Sequence, residues 1–122
     1  MSTQDIERKA ESAVKKYEKK HGRETTPYRK TGMDMISSGK NTKRYIEVKG
    51  TKHSSKPITL TEKQYNNLRD KKNSYLYVVT DIGKNAKVNA IKGSDIGLIK
   101  NPKWEKTIRI KFQEIIKQKI TK

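Results

Sequence analysis

The stretch Met33-Asp34-Met35-Ile36-Ser37-Ser38-Gly39-Lys40-Asn41-Thr42-Lys43-Arg44-Tyr45-Ile46-Glu47-Val48-Lys49-Gly50 decides the fold. Residues 33–37 read as a strand, Ser38-Gly39-Lys40-Asn41 as its turn, and residues 43–49 as the returning strand. The strand period of two puts Tyr45, Glu47 and Lys49 on one face and Arg44, Ile46 and Val48 on the other. A hairpin with this connection brings Asp34 near Glu47.

Upstream, Ser2 followed by Asp5 has the spacing of a capping box. Ile6, Ala10, Ala13, Val14 and Tyr17 then recur at helical spacing until His21-Gly22. Glu7, Glu11 and Glu18 share one shoulder of that helix. Helix geometry alone reads them as a solvated rim and does not choose among them. Residues 23–29 read as extended, interrupted at Pro27.

Downstream, residues 50–57 form a polar, basic loop. Thr61 and Gln64 make a second capping box, with Leu60 and Tyr65 placed as its hydrophobic staple. That helix runs to about residue 71 and buries Tyr65 and Leu68. Residues 75–80 are apolar on both faces, which suits a strand covered on both sides. Residues 88–91 read as a short strand after the Gly83-Lys84-Asn85 turn. In the tail Ile108, Ile110 and Phe112 alternate like a strand, whereas Phe112, Ile115, Ile116 and Ile120 are spaced like a helix. A strand passing into a helix fits both. The whole is an α/β fold, a mixed central sheet flanked by helices, read as one domain over residues 1–122 with a C-terminal extension from residue 95.

Composition tests that reading. Leu, Ile, Val and Phe number 23 of 122 residues, and the formal net charge is +17. A chain with less than about 20% of these residues and a high charge borders on intrinsic disorder. Caps, staple and alternation nevertheless agree on one structure, which a disordered tail has no reason to do. Cys is absent, so no disulfide, thiolate metal site or Cys nucleophile exists, and two His cannot build a zinc finger. The N-terminus is too charged for a signal peptide, and no apolar run approaches a membrane span. The expectation is a cytoplasmic protein with a polyanionic partner, nucleic acid first.

Asp34, Glu47 and Lys49 are the residues that carry chemistry. Glu-x-Lys on a strand face is common, and an exposed ion pair is its usual explanation. A hairpin of this kind would bring two carboxylates together among Met33, Met35, Ile46 and Val48, a pattern that by itself does not displace that explanation. Two such carboxylates repel each other and need a counter-charge. A divalent cation supplies one, and Mg²⁺ in particular suits few carboxylates, several waters and a phosphate.

Gly32-Met33-Asp34-Met35-Ile36-Ser37, then Arg44 to Gly50, then Leu60-Thr61 opening a helix, then Tyr75-Leu76-Tyr77-Val78-Val79 together resemble the PD-(D/E)XK nuclease superfamily. The resemblance is closest to the NO VEIN C-terminal type, and more distant to Mrr-type restriction enzymes and archaeal Holliday-junction resolvases. Ala10-Glu11-Ser12-Ala13-Val14 matches the Ala-Glu-x-x-Val of that branch's first helix. The likeness spans roughly residues 7 to 82 and adds nothing after about residue 90. It implies a restriction-endonuclease-like core and Mg²⁺-dependent hydrolysis of DNA, with Mn²⁺ as a substitute. Asp34, Glu47 and the Val48 carbonyl would be the metal ligands. Lys49 would orient the attacking water, and Glu11 would be an accessory carboxylate.

Met33 stands where the superfamily's name puts Pro, which this branch commonly lacks. Gln64 replaces the Glu often seen after the Leu-Thr start, so it is an accessory candidate as well as a cap. Arg29 and Lys30 before the Asp34 strand, and Lys52, Ser54, Ser55 and Lys56 after the Glu47 strand, are candidate phosphate contacts. His53 in that loop and Tyr45 beside Glu47 are weaker candidates, and Trp104 reads as a core or interface residue. Cutting both strands needs two sites, so a homodimer is expected, with residues 108–120 as its candidate interface. The competing reading is a basic nucleic-acid-binding module without catalysis. A third reading is a nuclease domain active only within a larger restriction or repair complex.

Whichever reading holds, affinity for DNA should fall steeply with salt. If six or more phosphates are contacted, raising salt from about 50 to 200 mM should lower it by about 10³-fold or more. Fluorescence anisotropy across a salt series measures this, and a flat response would remove nucleic acid as the reason for the charge.

Overall fold

The computed structural model describes residues 2–28, 33–53 and 58–96, together with the backbone of 107–110. Helix α1 (Thr3–Lys20) is followed by strands β1 (Glu24–Pro27), β2 (Met35–Gly39), β3 (Thr42–Gly50) and β4 (Ile58–Thr61). Helix α2 (Glu62–Asp70), strands β5 (Ser74–Thr80) and β6 (Lys87–Lys92), the short helix α3 (Gly93–Ile96) and strand β7 (Thr107–Ile110) complete the described chain. Five strands form one sheet in the order β1-β2-β3-β5-β6, and β4 pairs with β7 in a second, two-stranded sheet. Only β3 and β5 run parallel within the larger sheet, joined by the β4–α2 crossover, so the sheet is mixed as expected.

Local chemistry accounts for the element ends. Ser2 and Asp5 close the first capping box and Thr61 and Gln64 the second, each with both reciprocal bonds present. The β2–β3 hairpin closes on Gly39 opposite Thr42. Lys40 and Asn41 between them have φ of 36° and 66°. Two left-handed central residues mark the hairpin turn whose twist suits the flanking strands. Pro27 is tolerated at the end of β1 because β1 is an edge strand.

Two apolar layers sandwich the sheet. Ala10 and Val14 of α1 cover Met35, Ile46, Val48, Tyr77 and Val79 on one face. Tyr65 and Leu68 of α2, with Leu60 and Ile96, cover Met33, Leu76, Val78 and Ile91 on the other. Strand β5 is therefore buried on both faces from Leu76 to Thr80, as its unbroken apolar run predicts. Helix α1 approaches closely at the end of β3. A Cβ on Gly50 would lie 2.8 Å from both Ala10 Cβ and Ile82 Cδ1. Glycine at 50 and alanine at 10 are what let that contact form.

Two expectations change. Residues 58–59 carry no assignment from sequence and Leu60-Thr61 is read only as staple and cap, but Ile58–Thr61 forms strand β4 leading into the capped helix, with Ile58 opposite Ile110 of β7. The Ile108–Ile110 alternation is indeed a strand. The expected helix over 112–120 and Trp104 lie outside the described residues. The solvated rim on α1 also fails at one position. Glu7 is exposed and Glu11 half-buried, but Glu18 is 0% exposed. Arg23 Nε lies 3.5 Å and Arg44 Nη1 3.9 Å from Glu18 Oε1. Arg23 also donates to Ser37 Oγ at 2.9 Å and Thr42 Oγ1 at 2.8 Å, while Arg44 donates to Tyr77 Oη at 2.8 Å. These bonds tie the end of α1 to the β2–β3 hairpin.

Removing one member of a buried ion pair strands the other charge, at a cost of about 3–5 kcal/mol. Glu18→Ala should therefore lower unfolding stability by that order in urea titration, while Glu7→Ala on the exposed face stays within about 0.5 kcal/mol of wild type. Equal effects would mean that Glu18 is not held as described.

Candidate active site

The site begins with a break in strand alternation. Met33 and Met35 are two residues apart, and regular pleating would put them on one face. Instead Met33 packs in the α2 layer and Met35 in the α1 layer. The Asp34 N–H donates to the Ile46 carbonyl at 2.8 Å, although Met35 is the register partner of Ile46. Asp34 and Met35 thus both face Ile46, the two-against-one arrangement of a β-bulge. The bulge frees the Asp34 side chain, whose Oδ2 accepts the Val48 N–H at 2.8 Å. Tyr28 N–H donates to the Asp34 carbonyl at 3.1 Å and fixes the same residue from β1's side.

Glu47 stands on β3 between Ile46 and Val48, whose side chains face α1, so its own carboxylate points to the α2 side with Tyr45 and Lys49. It is 2% exposed. Its two oxygens differ sharply. Oε1 accepts the Gln64 Nε2–H at 2.9 Å and lies 4.0 Å from Lys49 Nζ. Oε2 is buried and has no hydrogen-bond partner. Burial, and next the negative charge of Asp34, push the Glu47 carboxyl up to about 9 against the opposing pull of Lys49. Glu11 adds to the rise, less than Asp34 does. Burial and the Asp34 charge thus both favour the protonated form of Glu47 when nothing else balances the pair.

These features fit a divalent cation. Two carboxylates lie side by side, one buried oxygen accepts no hydrogen bond, and burial beside Asp34 disfavours the charge on Glu47 unless a cation balances it. Among the described residues, no three His, Cys, Asp or Glu side chains are grouped to hold a metal by themselves. A pair suffices for Mg²⁺, which keeps several waters and completes its shell with phosphate.

The remaining sequence candidates divide. Val48 sits between Glu47 and Lys49 with its N–H held by Asp34. Lys52 is exposed just past β3, where Thr51 N–H donates to the Val79 carbonyl at 2.9 Å. Arg29, Lys30, Ser54, Ser55 and Lys56 lie outside the described residues. Tyr45 packs against the Tyr28 ring at 5.7 Å, with Lys71 Nζ 4.2 Å from its centroid, so its ring is engaged in packing. His53 is exposed. The sequence flagged Gln64 twice, as cap and as accessory candidate, and it does both kinds of bonding: its Oε1 accepts the Thr61 N–H at 3.0 Å while its Nε2 reaches Glu47.

The family described as "Protein NO VEIN, C-terminal" matches residues 6–91. Among solved structures, the chain is similar to a Holliday junction resolvase from the archaeal hyperthermophile Archaeoglobus fulgidus, with a TM-score of 0.60 at 17% identity. That match covers 88% of this chain and 84% of the resolvase, and it shows a shared restriction-endonuclease-like fold. No curated protein sequence matches significantly.

The raised Glu47 carboxyl makes stability depend on pH. The folded state holds a proton that the unfolded chain has released, from the ordinary value of 4.5 up to about 9. The stabilisation is whole below the lower value, declines as pH rises and is lost above the upper one. Without metal, wild-type stability should fall across this window more steeply than that of Glu47→Gln, whose neutral amide cannot ionise. At pH 8 the variant should be the more stable, by on the order of a few kcal/mol. Urea unfolding in EDTA at a series of pH values reads both, and parallel curves would contradict the burial of an unbalanced acid.

Proposed function

The chain belongs to the NO VEIN C-terminal family, and on that premise we propose that it is a Mg²⁺-dependent endonuclease that hydrolyses phosphodiester bonds in DNA. The observation that carries this reading is the buried Glu47 carboxylate beside the half-buried Asp34, with one Glu47 oxygen that accepts no hydrogen bond and Lys49 4.0 Å from the other. The resolvase-like fold and the +17 charge support it.

In this reading Asp34, Glu47 and the Val48 carbonyl hold the metal. When bound, Mg²⁺ or Mn²⁺ polarises the phosphoryl oxygen and lowers the pKa of a coordinated water. The chain's own groups do the rest. Asp34 fixes the Val48 peptide through its N–H and thereby the spacing between Glu47 and Lys49. The Lys49 ammonium orients the attacking water and offsets phosphate charge. Glu11, on the helix held close by Gly50, adds negative charge near the pair and takes the accessory role.

Arg29, Lys30, Lys52, Ser54, Ser55 and Lys56 are proposed to contact the DNA backbone, and the wider Lys excess to draw DNA in. Two cuts call for two copies, so a homodimer is the assembly proposed, alone or within a restriction or repair complex. Among the described residues no helix is long and apolar enough to cross a membrane. The cytoplasm is the compartment proposed.

The test incubates wild type and variants with linear, nicked, branched and modified DNA, in Mg²⁺, Mn²⁺ or EDTA. Asp34→Ala, Glu47→Ala and Lys49→Ala should each lower metal-dependent cleavage by about 10²–10³-fold or more, with DNA binding in EDTA kept within a few-fold. If wild type yields no metal-dependent product on any of these substrates, the chain is a non-catalytic binding module.

A further inference from the structure

One side-chain amide links the start of α2 to the site. Gln64 Oε1 accepts the Thr61 N–H at 3.0 Å, and its backbone N–H donates to Thr61 Oγ1 at 3.1 Å, closing the capping box. Its Nε2 donates to Glu47 Oε1 at 2.9 Å. The amide is therefore held at both ends, by an acceptor that needs its donor and a donor that needs its acceptor. Gln64 is half-buried and Glu47 is buried, so water competes little for this bond.

The residue type matters. A glutamate at 64 would cap Thr61 equally well, because capping uses only an oxygen acceptor. It would then present a second acceptor to Glu47, next to a carboxylate pair that already repels. Alanine or an aliphatic residue would supply neither bond. Glutamine alone among the helix-favouring residues offers an acceptor to the cap and a donor to Glu47 from one planar group.

We propose that Gln64 is a positioning residue that holds Glu47 Oε1 and so leaves Oε2 as the single oxygen turned toward a divalent cation. This rests on the nuclease reading of the same site. Glu47 Oε1 is engaged by Gln64 and faces Lys49, whereas Oε2 is buried with no donor on it, and the Asp34 side chain lies within hydrogen-bond reach of the Glu47 carboxyl. A carboxylate anchored through one oxygen keeps its plane, and the free oxygen keeps its direction. Partners of this kind, one step behind a metal ligand, typically contribute about 10–100-fold in metal affinity or activity.

The experiment separates positioning from capping. Gln64→Met keeps length but loses both bonds, whereas Thr61→Ala loses the cap's hydroxyl and leaves the Gln64–Glu47 bond. Mn²⁺ binding is measured on full-length protein without DNA, by calorimetry, beside thermal unfolding and cleavage. Both variants should melt lower than wild type. Only Gln64→Met should weaken Mn²⁺ binding, by about 10–100-fold, and lower kcat at saturating Mn²⁺ with KM for DNA unchanged. Thr61→Ala should stay within about twofold of wild type in Mn²⁺ affinity, since the ligand's partner is intact.

A second measurement does not depend on how well Gln64→Met folds. In wild type, the Gln64 side-chain amide protons should resonate as a widely split, slowly exchanging pair, and Glu47→Ala should collapse that splitting. Equal Mn²⁺ affinity in Gln64→Met and Thr61→Ala, or amide resonances indifferent to Glu47→Ala, would overturn the inference while leaving the nuclease reading standing. A wild type that neither binds Mn²⁺ nor cleaves DNA would overturn both.

Discussion

Glu47 is a carboxylate at 2% exposure placed against a second carboxylate, and the rest of the site is arranged around that unfavourable contact. Burial opposes its ionisation, Asp34 opposes it further, and Lys49 at 4.0 Å offsets only part of the cost. The contrast with Glu18 makes the point within the same molecule. Glu18 is as deeply buried, but two guanidinium groups face it, each bonded onward to the β2–β3 hairpin or to Tyr77. One buried acid is balanced by its own chain and ties elements together. The other has a single Lys49 ammonium at 4.0 Å against the charge of Asp34.

The architecture that creates this imbalance is simple. The bulge at Asp34 turns one carboxylate out of the strand pleat and onto the Val48 N–H. The parallel pairing of β3 with β5 forces a crossover, and the crossover lays α2 over the face that carries Glu47. Gln64 reaches Glu47 only because its helix starts there. On the opposite face, Gly50 and Ala10 let α1 approach closely enough for Glu11 to be felt at Glu47. Each contribution comes from a different element, and none of those elements forms the site alone.

Much of this was legible beforehand. Both capping boxes and the doubly buried strand β5 are local patterns that appear where their residues predict them, and the hairpin forms with its first strand at Met35–Gly39 instead of 33–37 and its turn narrowed to Lys40-Asn41. The meeting of Asp34 with Glu47 also follows from the hairpin. Strand β4 was missed because its partner β7 lies far along the chain, and Ile58–Thr61 carries no hairpin signal of its own. Glu18 was misplaced because helical phase locates a residue on a shoulder but does not say whether an arginine from the next hairpin will close over it.

The sequence by itself determined the elements, the face on which Glu47 and Lys49 stand, and the family to which the chain belongs. Those follow from spacing and from short-range hydrogen bonding, which neighbouring residues dictate. Tertiary structure alone decided which oxygen of Glu47 is bonded and which is bare, how Met33 and Met35 part to opposite layers, and that one amide serves both a helix cap and a buried acid. These depend on where separate elements come to rest against each other, and pairwise proximity in space has no periodicity along a chain.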